Sequence, residues 1–394
     1  MLSRWLEPRH HGHTRPVTQE DTVSVSDSAD DASASDAVDA LAQHILEAAL
    51  GAVDLLSIHI GDRLGWYRSL AEDGPSTATE LADHTATHAR YAREWLEQQA
   101  VTGLLDVDTS VPGTPRFSLP HAAADVLTEV TSLSYLAPLA RMFAGSAGQL
   151  PALLDAYRTG GGVGWAQFGA DARESQADMN RPWYERELAG ALGSVPDLDE
   201  ALRRPGTRIA DLGCGAGWST MALARAYPLA RVDGYDIDEL SIAMAVANTG
   251  ADVAEQVAFH AGTAALLPRA EFDLVFAFEC VHDLPDPVAV LAAARNSLRP
   301  GGMTIVMDEA VADEFTAPGD ETERLMYGFS LFVCLPDGMS HQPSAGTGTV
   351  MRPHTLKHYA TEAGFTGFEI LPIEGFGFWR FYRLTTSTTP AAAG

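Results

Sequence analysis

Two periodicities divide the chain. From Asp36 to about Pro120 apolar residues recur at helical spacing. In "DALAQHILEAALGAVDLLSIHIGDRLGWYRSL" they occupy more than one face, as in a helix buried between neighbours. From Arg208 the period changes: "RIADL", "RVDGYD", "VAFHA", "FDLVFAF", "MTIVMD", "GFEILP" and "FWRFYRL" read as strands, with helical stretches between most of them. That alternation predicts an α/β fold with a largely parallel sheet covered on both faces. Asp286 as cap, Pro287 at the first position and a closing Pro-Gly-Gly delimit one helix, "DPVAVLAAARNSLRPGG".

The N-terminal pattern is more specific than "helical". Thr77 with Glu80 forms a capping box ahead of "ATELADH", and "HARYAREWLEQQAVTGLL" is a second helix closed near Gly103. "LLDVDTSVPGTPRFSLP" then reads as two short strands around a Pro/Gly turn, which completes the order of a winged helix-turn-helix. Residues 121–200 read as helices joined by "RTGGGVGWAQFG". Trp165, Phe168, Trp183 and Tyr184 there suit either a mobile lid with aromatic anchors or a linker packed on the next domain. The expected division is a tail over 1–35, a winged-helix-like domain over 36–120, a helical connector over 121–200 and the α/β domain over 201–386.

Charge and composition narrow the function. The 394 residues carry a net charge of −27, and Lys357 is the single lysine. A chain this acidic is repelled by nucleic acid and by anionic membranes. The candidate reading helix carries Arg90 and Arg93 but also Glu94 and Glu97, and the wing carries Asp106 and Asp108. DNA reading needs a clustered basic footprint, so the domain is expected to serve dimerisation, with the long first helix burying its extra apolar face against a partner. The acidic, Ser/Ala-rich segment "TVSVSDSADDASASD" predicts a disordered tail. Within that tail "RHHGH" is a metal-site candidate better read as a solvated cluster. No signal peptide and no uncharged apolar stretch of about 18 residues is evident, which predicts a cytoplasmic protein. Cys214, Cys280 and Cys334 lack the spacing of a disulfide framework or a structural zinc site.

The chemistry centres on "RIADLGCGAGWSTMALARAYPLARVDGYDID". Gly213, Gly215 and Gly217 crowd the turn after the first strand, and Asp236 ends the next strand, 19 positions after the last of these glycines. Glycine there lets a ligand approach the main chain, and an acid at the second strand end accepts hydrogen bonds from two ribose hydroxyls. The spacing G-x-G-x-G departs from the dinucleotide fingerprint, and no P-loop sequence exists. Asp211 at the strand end suits a ligand whose cationic sulfonium and amino-acid portion replace a pyrophosphate.

"DLGCGAGWS", "YDID", "FDLVFAFECVHD" and "LRPGGMTIVMDE", in that order, resemble the class I S-adenosylmethionine-dependent methyltransferases. With the winged-helix region and "GGGV" connector, the whole resembles the two-domain bacterial small-molecule methyltransferases that dimerise through the N-terminal region. The resemblance implies a Rossmann-like seven-stranded sheet and S-adenosylmethionine as cofactor. It places Asp211, Gly213, Cys214, Gly215 and Gly217 near the methionine portion, Asp236 on the ribose, Ile237 against the adenine, and Phe278 along the same crevice. Where relatives carry an acid after the third strand this chain reads "AGTAA", leaving Thr263 or the amide of Ala264 for the adenine amino group.

Methyl transfer to a hydroxyl also needs a base. His282 in "FECVHDLPDP" resembles the histidine of the small-molecule O-methyltransferases, and histidine with a pKa of about 6.5 can accept a proton near neutrality. Asp308 or Glu309 is the candidate orienting carboxylate, with Asp283 as an alternative; His341 is an alternative base. Trp165, Trp183, Tyr327, Phe329, Phe332, Met339 and His341 are candidates to meet a small aromatic or polyketide-like acceptor. No metal-ligand cluster is evident in this half. The readings left open are O-methylation, N- or C-methylation with His282 as an orienting group, and a non-catalytic regulator that binds S-adenosylmethionine and nucleic acid.

Overall fold

The computed structural model describes residues 25–386. Of the tail expected over 1–35, residues 1–24, with the histidine cluster, lie outside the described residues. Residues 25–35 are helical, contrary to the expected disorder, as the first turns of α1 (Val25–Arg63). Alanine, frequent there, loses the least freedom of any residue in a helix.

The helix turns at Gly65 (φ 71°) into α2 (Trp66–Glu72), followed by α3 (Ala78–Thr85), α4 (Ala89–Val101) and the hairpin of β1 (Asp106–Asp108) and β2 (Arg116–Ser118). Both bonds of the capping box are present, Thr77 N–H donating to Glu80 at 2.8 Å and Glu80 N–H to Thr77 Oγ1 at 3.3 Å. Trp66, Tyr67, Leu81, Trp95, Leu96 and Phe117 form the core of this unit. Trp95 lies so close to Gly61 that an added Cβ would stand 2.2 Å from its ring, so the glycine is what lets α4 dock on α1.

The rest of α1 faces outward. Val38, Leu41, Ile45, Val53, Leu56 and Ile60 are 46% to 63% exposed, so the expected burial between neighbours is not met within one chain. Ser35–Arg63, with hydropathy 1.4, is long and apolar enough on average to cross a membrane, although it carries charged residues and is not an uncharged stretch of the kind expected to be absent. Its few acids are spaced widely enough to leave the average apolar.

The connector consists of α5 (His121–Leu127), α6 (Ala137–Gly148), α7 (Leu150–Thr159) and α8 (Trp165–Arg186), which is kinked at Gly169 (φ 76°). Buried Arg141 on α6 pairs with Asp62 of α1 at 3.0 Å and Asp178 of α8 at 2.7 Å, locking three helices together. Next come α9 (Leu188–Gly193) and α10 (Pro196–Arg203).

The α/β part holds β3 (Arg208–Leu212), α11 (Trp218–Ala226), β4 (Arg231–Asp236), α12 (Glu239–Asn248), β5 (Val257–Ala261), β6 (Phe272–Phe278), α13 (Pro287–Ser297), β7 (Leu298–Glu309), β8 (Gly367–Ile370) and β9 (Trp379–Thr385). The seven strands run β5-β4-β3-β6-β7-β9-β8, parallel except that β9 lies antiparallel to both its neighbours. Each face of the sheet has its own apolar core. All seven strands fall where the sequence places them. The helix before β7 is shorter than expected: it ends at Ser297, and the Pro-Gly-Gly lies within β7 at a register shift against β6, where Gly301 takes φ 83°. Strand order reverses at β3, so the carboxyl ends of β3, β4 and β6 frame the crevice where open α/β sheets bind ligands.

Candidate active site

The turn after β3 is built from three left-handed glycines with different neighbours. A Cβ on Gly213 (φ 67°) would meet Cys280 at 2.7 Å, and one on Gly217 (φ 81°) would meet Phe259 at 2.8 Å. One on Gly215 (φ 51°) would meet nothing within 4 Å. The outer two positions are closed by packing, and Gly215 fronts open space. The amides of Gly213 and Cys214 donate to the Tyr235 carbonyl at 2.8 and 3.1 Å, binding the turn to β4. Asp236 receives the Gly215 amide at 2.9 Å and the Asp238 amide at 2.8 Å. Asp211 is fully buried; one oxygen accepts from Ser219 and Thr220, both at 2.6 Å, and the other has no partner. Burial pushes its pKa up to about 6.

Cys214 is buried against Gly234, Ile237 is 65% exposed beside Asp236, and Thr263 caps the short turn Ala264–Leu266. The neighbouring Gly262 amide donates to the Asp236 carbonyl at 2.8 Å, which brings that segment to the crevice. Phe278 differs from expectation. Its ring is 4% exposed and stacks on Phe276 at 5.1 Å, so the side chain belongs to the core of the sheet.

His282 follows β6 on a short turn and is 3% exposed. Its Nδ1 lies 2.6 Å from Asp308 Oδ1 and 3.2 Å from Glu309 Oε2, and its Nε2 lies 3.2 Å from Asp283 Oδ1. Burial opposes the imidazolium, but the three carboxylates outweigh it and raise the pKa well above its ordinary value. Burial would raise Asp308 too, yet the imidazolium holds it below its usual range. Donor atoms of His282, Asp308 and Glu309 converge within 4.8 Å, bringing the expected histidine together with both candidate orienting carboxylates. The Nδ1–Oδ1 contact at 2.6 Å makes the group a hydrogen-bonded cluster.

Several site groups escaped the sequence reading. Glu279 ends β6 in the left-handed region (φ 53°), an uncommon place for a residue with a side chain and one that concentrates at functional sites. Its carboxylate accepts from Gln176 at 3.1 Å and from Asn180, both on α8, while the Trp379 indole N–H lies nearby. Burial pushes its pKa up to about 7. Also on α8, Arg173 donates to Asp238 at 2.6 Å. The connector helix thus grips both flanks of the crevice. A backbone torsion and a contact across 99 residues leave no trace in a sequence pattern.

The expected acceptor residues divide. Trp165, Phe329 and Phe332 pack around a connector core of Met142, Leu153, Phe168 and Val333, with Phe329 stacked on Phe143 at 5.6 Å. Cys334, from the same insertion, reaches His282. The Trp165 amide donates to Asp337 at 2.7 Å, and burial pushes Asp337 up to about 7. Trp183 instead packs on Phe376 and Trp379 against the sheet, and Tyr327 is 38% exposed. His341 is on the exposed surface, which removes it as a substitute base.

Sheet order, the glycine turn and the acid at the end of β4 define a class I methyltransferase fold. Residues 203–342 match the family described as a methyltransferase domain, and residues 51–129 match the Rv2258c-like winged HTH domain. The chain thus joins an N-terminal winged-helix domain to a methyltransferase domain. It is 35% identical over 147 residues to trans-aconitate 2-methyltransferase of Deinococcus radiodurans, covering 35% of this chain and 55% of that protein. It is 32% identical over 180 residues to 27-O-demethylrifamycin SV methyltransferase of Amycolatopsis mediterranei, covering 43% and 66%. The chain therefore spans between about half and two thirds of the length of these curated relatives. Human N-acetylserotonin methyltransferase in complex with S-adenosylmethionine shares the fold, with a TM-score of 0.67 at 20% identity over 88% of this chain and 98% of that one.

The cofactor of this class fits the residues present. Asp211 offers a buried oxygen without a partner, Gly215 leaves open space, and each oxygen of Asp236 accepts one amide and keeps a lone pair for a hydroxyl.

Proposed function

We propose that this protein transfers a methyl group from S-adenosylmethionine to a small-molecule acceptor, most directly to a hydroxyl. One observation carries the reading: the glycine turn with Asp236, and the His282–Asp308 pair, sit at the carboxyl ends of neighbouring strands of one sheet. Both aligned relatives are methyltransferases of small molecules by name, and one is named for an oxygen. The cofactor supplies an activated methyl group on a sulfonium. Asp236 holds the ribose, Ile237 covers the adenine edge, and the open face of Gly215 admits the methionine portion. Asp308 fixes His282 through Nδ1, which leaves Nε2 to take the acceptor proton once Asp283 yields it.

The cage of carboxylates strengthens His282 as a base while keeping it charged near neutrality. With a hydroxyl acceptor, turnover then rises with pH towards the raised pKa. A flat profile supports the second reading, N- or C-methylation with His282 as a charged orienting group, which the engagement of both ring nitrogens favours. Calorimetry with S-adenosylhomocysteine tests the cofactor assignment first: the wild type binds, and Asp236→Ala loses about 100-fold or more in affinity, as expected for removal of a charged, partly buried hydrogen-bonding group. Unchanged binding by that variant removes the enzyme reading.

The exposed stripe on α1 supports a homodimer, since a row of large apolar side chains this long is seldom left to water. Ile45→Asp with Leu56→Asp is expected to give monomers by sedimentation. On the winged domain Arg90 is paired to Glu94 at 2.5 Å, which weakens any basic footprint and supports a role without nucleic acid.

A further inference from the structure

The carboxyl ends of adjacent parallel strands β3 and β6 each carry an acid, buried Asp211 and half-buried Glu279, and the phenol of Tyr184 lies within electrostatic reach of both. No cation is paired with either among the described residues. Asp211 is served by two hydroxyls and keeps one bare oxygen; Glu279 is served by two side-chain amides. A neutral-donor cage around a buried carboxylate is an incomplete solution, because desolvation is only partly repaid without a counter-charge. His282 acts on Glu279 only at a distance, since its ring nitrogens bond to or face Asp308, Glu309 and Asp283. The backbone at Glu279 is moreover held in an unfavourable region, aiming the residue beside the turn where Cys280 packs on Gly213.

Building on the cofactor assignment above, we propose that Glu279 is a cofactor-binding residue: its carboxylate, held by α8, pairs with the α-ammonium group of S-adenosylmethionine, opposite Asp211. The residue is thereby a counter-ion and not a base. Because α8 supplies Asn180 and Gln176 to this carboxylate and Arg173 to Asp238, the connector helix is seated when both flanks of the cofactor are in place.

The titratable groups facing Glu279 are Tyr184 from α8, His282 on the turn after β6, and Asp308 and Glu309 at the end of β7. Of these His282 is already neutralised by its own carboxylates. A cation arriving at Glu279 lowers its proton affinity, so binding near neutral pH expels a fraction of a proton and affinity rises with pH through that range.

The test is calorimetry from about pH 6 to pH 8, in two buffers of different ionisation enthalpy, with two probes: S-adenosylhomocysteine, which carries the amino-acid portion, and 5′-methylthioadenosine, which lacks it. In the wild type, S-adenosylhomocysteine is expected to release protons and 5′-methylthioadenosine is not. Glu279→Gln keeps the amide hydrogen bonds and is expected to weaken S-adenosylhomocysteine about tenfold, abolish the proton release and leave 5′-methylthioadenosine unchanged; Glu279→Asp retains the pH dependence. Unchanged S-adenosylhomocysteine affinity and proton release in Glu279→Gln overturns the proposal while sparing the methyltransferase reading. Equal weakening of both probes overturns it as well, since the residue then only shapes the crevice. If neither probe binds the wild type, both readings fall.

Discussion

The cofactor crevice and the acceptor side of this site are assembled on different scales. Asp236 reaches the Gly215 amide across 21 residues, within one strand–helix–strand unit whose spacing is fixed by the sheet. Trp165 reaches Asp337 across 172 residues, and Cys334 arrives at His282 from an insertion after the fifth parallel strand. The first arrangement follows from the path of the backbone. The second depends on how the connector helices dock on the sheet, and it gathers His282, Asp283, Asp308 and Glu309 into one charged cluster. Glycine geometry therefore governs one side, and electrostatic compensation governs the other.

The sharpest way to break that contrast is to remove the compensating cation. His282→Ala leaves Asp283, Asp308 and Glu309 facing one another in a site that is nearly dry, and stripping one partner from a buried ion cluster costs about 3–5 kcal/mol. The loss should be larger at alkaline pH than at mildly acidic pH, where the remaining carboxyls take up protons. Thermal unfolding across pH checks this, and calorimetry with S-adenosylhomocysteine in the same variant should show affinity within about threefold of wild type, about 0.6 kcal/mol. A variant as stable as wild type at all pH values would mean that the cluster is not an electrostatic unit.

Within the crevice the three glycines separate folding from binding. Gly217→Ala forces a Cβ to within 2.8 Å of Phe259 at a left-handed φ, and a cost of about 2–3 kcal/mol is expected from clash and strain together. Gly215→Ala carries a similar φ but meets open space, so about 1 kcal/mol is expected. The order reverses for S-adenosylhomocysteine affinity, which Gly215→Ala should reduce more, because its methyl group occupies the face presented to the ligand. If both variants behave alike, the crevice lies elsewhere on the turn.

These scales also decide what was legible in the sequence. All seven sheet strands could be read because "FDLVFAF" and its companions are short apolar runs punctuated by turns, and Asp211, Gly215 and Asp236 could be placed because a parallel sheet fixes which strand ends adjoin. His282 was legible through its motif, and Asp308 through its position at the end of the next parallel strand. Phe278 was misread because residues before a strand end alternate faces, and its ring turned to the core. Glu279 was missed because a left-handed torsion moves one residue out of that alternation, and Asp337 because only docking of α8 buries it.

Titration separates the two sides most finely. Asp211, Glu279 and Asp337 are raised by burial to about 6, about 7 and about 7. In each the folded state binds the proton more tightly than the unfolded chain, whose carboxyls titrate near about 4, so stability is full below that value and declines as pH rises towards about 7. His282, also raised, loses its contribution as pH climbs through its folded pKa and extends the decline. Asp308 and Asp238 are lowered, and their contribution is lost as pH falls through the acid range. The ligand-free protein should therefore be most stable at about pH 5, with the melting temperature falling by a few degrees towards about pH 8. The α-ammonium of a bound ligand beside Asp211 relieves that group's penalty and leaves Asp337 untouched, so the stabilisation by S-adenosylhomocysteine should grow with pH while part of the decline persists. A ligand increment constant from about pH 5 to pH 8 would place the raised carboxyls away from the cofactor and dissolve the electrical distinction between the two halves of the site.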